Sequence, residues 1–338
     1  MHFTDILCRL VAEGIFPGVY SVLSFIPTIA VAMFFISLLK ESGIIRGTAA
    51  HLIMGFGCSV PAILSCAAIN GKRKRYLTMI LIPYMSCSAK LPIYVTMASM
   101  FFPDTPYAAV LGIYAIGILM AVIIYVSAAS AGLLSSGNPV ASCSSCKGRC
   151  LLHPKASIGP AHLKRPSMRN ILNDVTECCT GFIKKAFTII LAASAILWLL
   201  QNLDASLSFT TEIEDSLLAC LGRAVSPVLS PLGFGDWRAA AALITGLSAK
   251  EAVVSTFAVL AGAAEGPALC MMLEDIFSPL SAFCFMVFCL IYMPCAASLA
   301  AIKTITGRIS VSLTILASQT VLAWLVTFLI FNSIKAII

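Results

Sequence analysis

Charge is what this sequence has least of. Asp, Glu, Lys and Arg make up 11% of its 338 residues, against about 25% in a soluble globular chain, which excludes a water-soluble single domain. The charges are also clumped, and none falls between Gly18 and Leu39, between Pro106 and Cys146, or between Ile276 and Ile302. Runs of that length can cross a bilayer, for which about 20 apolar residues suffice. Nucleotide and hydrolase motifs are missing too. There is no G-x-x-x-x-G-K-[ST], Gly71-Lys72 is followed by arginine, and no serine-nucleophile or H-E-x-x-H motif occurs among the scattered His2, His51, His153 and His162. The expectation is a transporter rather than an enzyme, with no nucleotide site and no room for a nucleotide-hydrolysing domain of roughly 150 further residues.

What is present is apolar: 59% of the residues are hydrophobic, and the net charge is +7. In a membrane protein that excess reports loop orientation. A nucleic-acid partner is not expected, because the basic residues are not interleaved with aromatics on a polar stretch. Asp5 and Glu13 precede the first apolar run, unlike a secretory signal. Of the 14 cysteines, six lie inside long apolar runs, and the cysteines read mostly as buried thiols rather than a disulfide scaffold.

Eight apolar segments cover about 18–39, 49–69, 76–102, 106–132, 184–203, 238–262, 276–302 and 309–334. Backbone polar groups in lipid must be satisfied internally, so the fold class is all-α, a polytopic membrane helix bundle. Strand patterns of the barrel type are absent. Three units are expected: a first gate-like half over 1–134, a basic cysteine-containing cytoplasmic loop over 135–182, and a second gate-like half over 183–338. Residues 203–237, with Asp204, Glu212, Glu214, Asp215 and Asp236, read as an external stretch. Placing the N-terminus inside puts Arg9, Lys72 to Arg75, the basic loop and Lys335 in the cytoplasm, but leaves Lys303 and Arg308 on the wrong side. A segment 238–262 that is re-entrant, broken at Lys250-Glu251, resolves the conflict.

A weak internal repeat supports two halves. Tyr84-Met85-Ser86-Cys87-Ser88-Ala89 and Tyr292-Met293-Pro294-Cys295-Ala296-Ala297 share the pattern Y-M-x-C-x-A. Upstream of each lies an apolar segment with a glycine-containing interruption, around Gly55 to Pro61 and around Gly246 to Glu251. Paired interrupted segments point to a transporter's substrate site; chance recurrence of small residues is the plainer explanation.

The candidate chemistry sits at these interruptions. Gly55, Gly57 and Pro61 weaken the helix around Cys58, which is either a small hydrophobe or a ligand. Cys87 lies between Pro83 and Pro92, beside Ser86 and with Lys90 three residues on. A lysine at mid-membrane costs about 2.5–3.5 kcal/mol and needs an anion or a carbonyl, unless it snorkels to an interface. Lys250 and Glu251 point about 100° apart on a helix, so each needs a partner elsewhere if they are more than a structural pair. Glu251 is the one acidic residue within an apolar segment. Cys295 follows Pro294 directly. Thiols with a carboxylate suit Fe²⁺ or Mn²⁺ better than Mg²⁺ or Ca²⁺, so the metal set is Cys58, Cys87, Cys295 and Glu251, supported by Gly57, Pro61, Ser86, Lys90, Lys250 and Pro294. In the basic loop, Cys143-x2-Cys146-x3-Cys150-x2-His153 reads as a second metal or metallochaperone site, a redox thiol pair or a plain linker.

Six ordered stretches resemble the membrane portion of ferrous iron transporter B, the FeoB family: Leu10 to Gly18, Met54 to Ala62, Pro83 to Pro92, Pro231 to Ala239, Ala249 to Glu251 and Pro294-Cys295. The resemblance implies a multi-pass protein of the bacterial inner membrane that moves Fe²⁺ inward, with Cys58, Cys87 and Cys295 as pathway cysteines. Family members begin with a G-protein domain, which this sequence is expected to lack, so control by GTP would come from a separate GTPase polypeptide. Membrane lipids, a small iron-transport accessory protein and a homo-oligomer complete the expected partners. Ser59 and Lys90 depart from the Asn and Arg more typical of the family. A nucleoside or small-solute carrier of similar halves, and a non-transporting membrane scaffold, remain as alternatives.

Overall fold

A computed structural model describes residues 11–12, 16–41, 48–131, 167–204, 206, 208–210, 213–262, 266–292 and 294–337. The cluster Cys143, Cys146, Cys150 and His153 lies outside the described residues. Among those described, the architecture is helical and strand-free, with only isolated bridges pairing Leu203 with Phe209 and Asp204 with Ser216.

The first half runs through α1 (Phe16–Glu41), α2 (Thr48–Gly57), α3 (Ser59–Ser65), α4 (Lys72–Leu81), α5 (Leu91–Phe101) and α6 (Pro106–Ser130). The second half contains α7 (Met168–Asn202), α8 (Leu217–Leu229), α9 (Trp237–Thr245), α10 (Ala252–Leu260), α11 (Pro267–Ile276), α12 (Pro279–Ile291), α13 (Ala296–Thr306) and α14 (Ile309–Ile337). Among the described residues, three stretches are long and apolar enough to cross a membrane: Pro106–Ser130, Pro279–Thr306 and Ile309–Ile337. A fourth is a bent pair, Leu217–Leu232 with Trp237–Thr245, meeting at 105°.

That corner explains one difference from the sequence reading. Residues 203–237 are not one polar connection, because α8 occupies 217–229 and packs on α9. Its apolar residues are interrupted by Arg223, Ser226 and Pro227, so no continuous run announces it. Gly233 turns the corner at φ 91°, a left-handed conformation that glycine adopts without strain. The Asp236 carboxylate then accepts from the backbone N–H of Arg238 at 2.7 Å and caps α9. Similarly, α7 already begins at Met168, inside the span assigned to the basic loop, and absorbs the segment 184–203.

The core centres on α12, whose residues from Cys284 to Ile291 are all buried. Ser278 opens it with a capping box closed by Ser281, and Pro279 occupies a first-turn position where its missing N–H costs nothing. Around it, Phe277 and Phe285 have ring centroids 5.0 Å apart, and Phe234 meets Phe285 edge to face at 5.4 Å. In contrast, α6 and α14 present Leu111, Leu119, Val122, Leu313, Leu325 and Leu329 outward. Exposed leucines on span-length helices suit a lipid surround and not water. A second core joins the halves, packing Met54, Val60 and Ile63 of the first against Ala297, Ala301 and Ile302 of the second.

Candidate functional site

Four of the apolar segments are broken, and in three of them, all but 238–262, a proline stands at or beside the break. A proline at position i removes the donor that would bond the carbonyl at i−4. Pro61 therefore frees the carbonyl of Gly57, and Pro294 that of Leu290. Both freed carbonyls are taken by side chains of the 84–90 motif. Ser88 Oγ donates to Gly57 O at 2.9 Å, and Lys90 Nζ donates to Leu290 O at 2.7 Å and to Pro83 O at 3.0 Å. In the second half, the open turn between α9 and α10 exposes the carbonyl of Leu247, which accepts from the backbone N–H of Ala296 at 2.8 Å.

Ser88 and Ala296 occupy equivalent places in the two Y-M-x-C-x-A motifs, each directly after the cysteine. Each ties its motif to the upstream break of its own half. The repeat thus has a physical content, a hydrogen bond from the residue after the cysteine to a carbonyl that a broken helix leaves open.

The three cysteines expected to line a path stand at corresponding points. Cys58, Cys87 and Cys295 are all extended, at φ/ψ of −150°/129°, −72°/160° and −62°/159°, and each immediately precedes a helical turn. Cys87 and Pro294 are buried, while Cys58 and Cys295 are partly buried and flank the second core together. Cys295 Sγ lies 3.2 Å from Ser298 Oγ, and Ser298 is the repeat counterpart of Lys90. Ser86, buried, faces the Tyr94 hydroxyl at 3.4 Å. No described cysteine is in a disulfide.

Two lysines share this centre. Lys90 and Lys250 are each 4% exposed, and both lie within electrostatic reach of Cys87, Cys289 and Cys295. Lys90 finds the carbonyl partners that its burial requires. Lys250 Nζ makes no hydrogen bond among the described residues and sits 3.8 Å from the centroid of the Tyr292 ring, a cation–π contact. The Tyr292 hydroxyl donates to the carbonyl of Leu243, which holds the ring in place. Glu251, partly buried, is the N-cap residue before α10, and its carbonyl accepts from Ser255 N at 3.3 Å.

The structure brings Cys87, Cys295, Lys90 and Lys250 together and sets Cys58 beside the same interface between the halves. Among the described residues no three His, Cys, Asp or Glu side chains converge on one ion position, so the four expected metal donors do not form a closed cage. Sequence reasoning passed over Cys289 and Tyr292. Tyr292 carried a signal, its match to Tyr84 in the repeat; Cys289, in an unbroken apolar run, carried none.

A family model described as "Gate: Nucleoside recognition" matches residues 183–309. The Fe(2+) transporter FeoB of Staphylococcus aureus strain COL is 32% identical over 340 residues, covering 96% of this chain and 48% of that protein. The chain belongs to the FeoB family, over its membrane part. The FeoB of Methanocaldococcus jannaschii is 34% identical over 325 residues, covering 89% of this chain and 46% of its own length. A Porphyromonas gingivalis protein described as an Fe(2+) transport protein A/FeoB fusion is 31% identical over 388 residues, covering 96% of this chain and 44% of that protein. The chain spans about half the length of the curated relatives it matches. No solved structure matches it.

Proposed function

We propose that this FeoB-family chain forms the path by which Fe²⁺ crosses a bacterial inner membrane into the cytoplasm. The observation that carries the reading is the common placement of Cys58, Cys87 and Cys295, each extended at a helix break where the two halves meet. Thiol donors favour a first-row ion such as Fe²⁺ over Mg²⁺ or Ca²⁺, and Glu251 supplies a fixed negative charge. Donors spread along a path suit transport better than a closed cage would, because a closed set of thiolates holds its ion. Inward movement of a divalent ion is favoured by about 4.6 kcal/mol at 100 mV, twice the single-charge value. No hydrolysis is needed to drive it. The fusion in the P. gingivalis relative supports a small accessory protein as a further partner.

A nucleoside carrier has less support. Holding a base and ribose takes buried amides, and Gln319 is the one fully buried side-chain amide among the described residues, with its Nε2 already donating to Ile80 O at 3.2 Å.

Uptake of radiolabelled Fe²⁺ into proteoliposomes under reducing conditions tests the proposal, with Cys87→Ser and Glu251→Gln compared against the unaltered protein. Both variants are expected to lose most uptake; unchanged uptake in both would sink the path. Deleting residues 143–153 is expected to leave the path working, because the loop cluster would serve delivery.

A further inference from the structure

We infer that Lys250 is a tethered cation that occupies the space between the halves and holds the path closed until an entering ion displaces it. The inference rests on the path reading above and adds a gate to it.

The argument starts from how differently the two buried lysines are held. Lys90 Nζ has two carbonyl acceptors, Pro83 O at 3.0 Å and Leu290 O at 2.7 Å. Both are open only because their helices are broken, so Lys90 is an integral part of the breaks. Removing it would strand two buried carbonyls. Lys250 Nζ has no hydrogen-bond acceptor among the described residues. It rests on the face of Tyr292 at 3.8 Å, an ammonium 4% exposed whose three donors find no acceptor among those residues. An unsatisfied buried charge costs free energy, and a charge held only by a π face is the easier of the two to move.

Its position is that of an ion in transit. Lys250 lies within electrostatic reach of Cys87, Cys289 and Cys295, the thiols that a soft divalent ion would meet at the junction of the halves. A resident positive charge there opposes a second cation, and its departure uncovers both the thiols and the ring face. The backbone permits that departure. Lys250 sits in the open turn between α9 and α10, anchored to the rest of the site through Ala296 N donating to Leu247 O at 2.8 Å. A shift of that turn off Tyr292 would break the tie between Leu247 and Ala296 but none of the hydrogen bonds that Ser88 and Lys90 make to Gly57, Pro83 and Leu290.

The test uses the full chain in proteoliposomes and measures how fast a permeant methanethiosulfonate labels Cys87, Cys289 and Cys295, read by peptide mass. Lys250→Met removes the charge at similar length and is expected to speed labelling roughly tenfold, the order lost with one desolvated cation–π contact. Lys250→Arg keeps a cation on the ring and should label slowly. Tyr292→Leu, which removes the ring but keeps the lysine, gives a second route to the open state and should also label fast, whereas Tyr292→Phe should not. Equal or slower labelling in Lys250→Met and Tyr292→Leu overturns the inference. A lysine that only activates the thiols gives that slower result, since removing a nearby positive charge disfavours the reactive thiolate. Fe²⁺ uptake by the same vesicles separates the two readings. Faster labelling with no uptake in any protein keeps the gate and rejects the iron path, while uptake by the unaltered protein without faster labelling in either variant rejects the gate alone.

Discussion

The hydroxyl of Ser88 donates to the carbonyl of Gly57 at 2.9 Å, joining two helix breaks that stand 31 residues apart in the chain. The acceptor exists because Pro61 cannot bond it. Two interruptions that look like separate weaknesses are therefore one assembly, with Cys58 and Cys87 next to either end of the tie.

Replacing Ser88 by alanine removes the donor and leaves the Gly57 carbonyl unpaired in a poorly hydrated interior. A stranded buried acceptor costs about 1–3 kcal/mol. Ser88→Ala is expected to lower the thermal midpoint in detergent and to reduce Fe²⁺ uptake, while Ser88→Thr, which keeps the hydroxyl, retains most of both.

A second prediction concerns the contact between α6 and the first motif. A Cβ added at Gly117 would lie 2.6 Å from the carbonyl oxygen of Tyr84 and 3.1 Å from Leu290, whereas at Gly112 on the same helix it would meet nothing within 4 Å. Gly117→Ala is expected to destabilise by about 1–3 kcal/mol through overpacking. Gly112→Ala should instead be neutral or gain up to about 1 kcal/mol from helix propensity. Thermal unfolding of both proteins in one detergent makes the comparison, and equal midpoints would show that α6 does not press on the motif.

The cysteines divide by the same reasoning. Cys284 is fully buried within α12 amid Phe and Met side chains and has no helix break beside it. Cys284→Ala is expected to cost about 1 kcal/mol of stability, near the loss for one buried small group, and to leave uptake within about twofold. Cys295→Ala should reduce uptake at least tenfold, if a lost ligand weighs about 1.4 kcal/mol or more. Parallel uptake and melting curves separate a path thiol from a packing thiol.

These contrasts show what could be read ahead of the structure. Scarcity of charge singled out Lys90 and Lys250, because an ammonium inside an apolar run has no bland neighbours to hide among. Gly57, Pro61 and Pro294 marked the breaks, since proline acts through the local backbone and its effect is visible within four residues. The bond from Lys90 to the Leu290 carbonyl joins residues 200 apart and has no local signature. Nor does α8, whose apolar face is interleaved with Arg223 and Ser226 so that the segment resembles a polar connection. Helix breaks are legible where a residue type forces them; which carbonyl a distant side chain then satisfies is decided by packing.

The tie in the second half offers a sharper test than its counterpart, because its donor is a backbone N–H. Ala296 is the first residue of α13, the position where proline is best tolerated. Cys295 before it is already extended at φ −62° and ψ 159°, the conformation that a following proline favours. Ala296→Pro should therefore leave α13 intact and delete one hydrogen bond, the one to Leu247 O at 2.8 Å, while its ring pushes that carbonyl away. The turn bearing Lys250 and Glu251 would lose its link to the cysteine motif. Expected are near-unchanged helicity by circular dichroism, a stability loss of about 1–3 kcal/mol for the stranded carbonyl, and faster hydrogen exchange confined to residues 246–251. Unaltered exchange in that turn would mean that Leu247 is held by something other than Ala296, and that the repeat's shared tie is not what joins break to motif in this half.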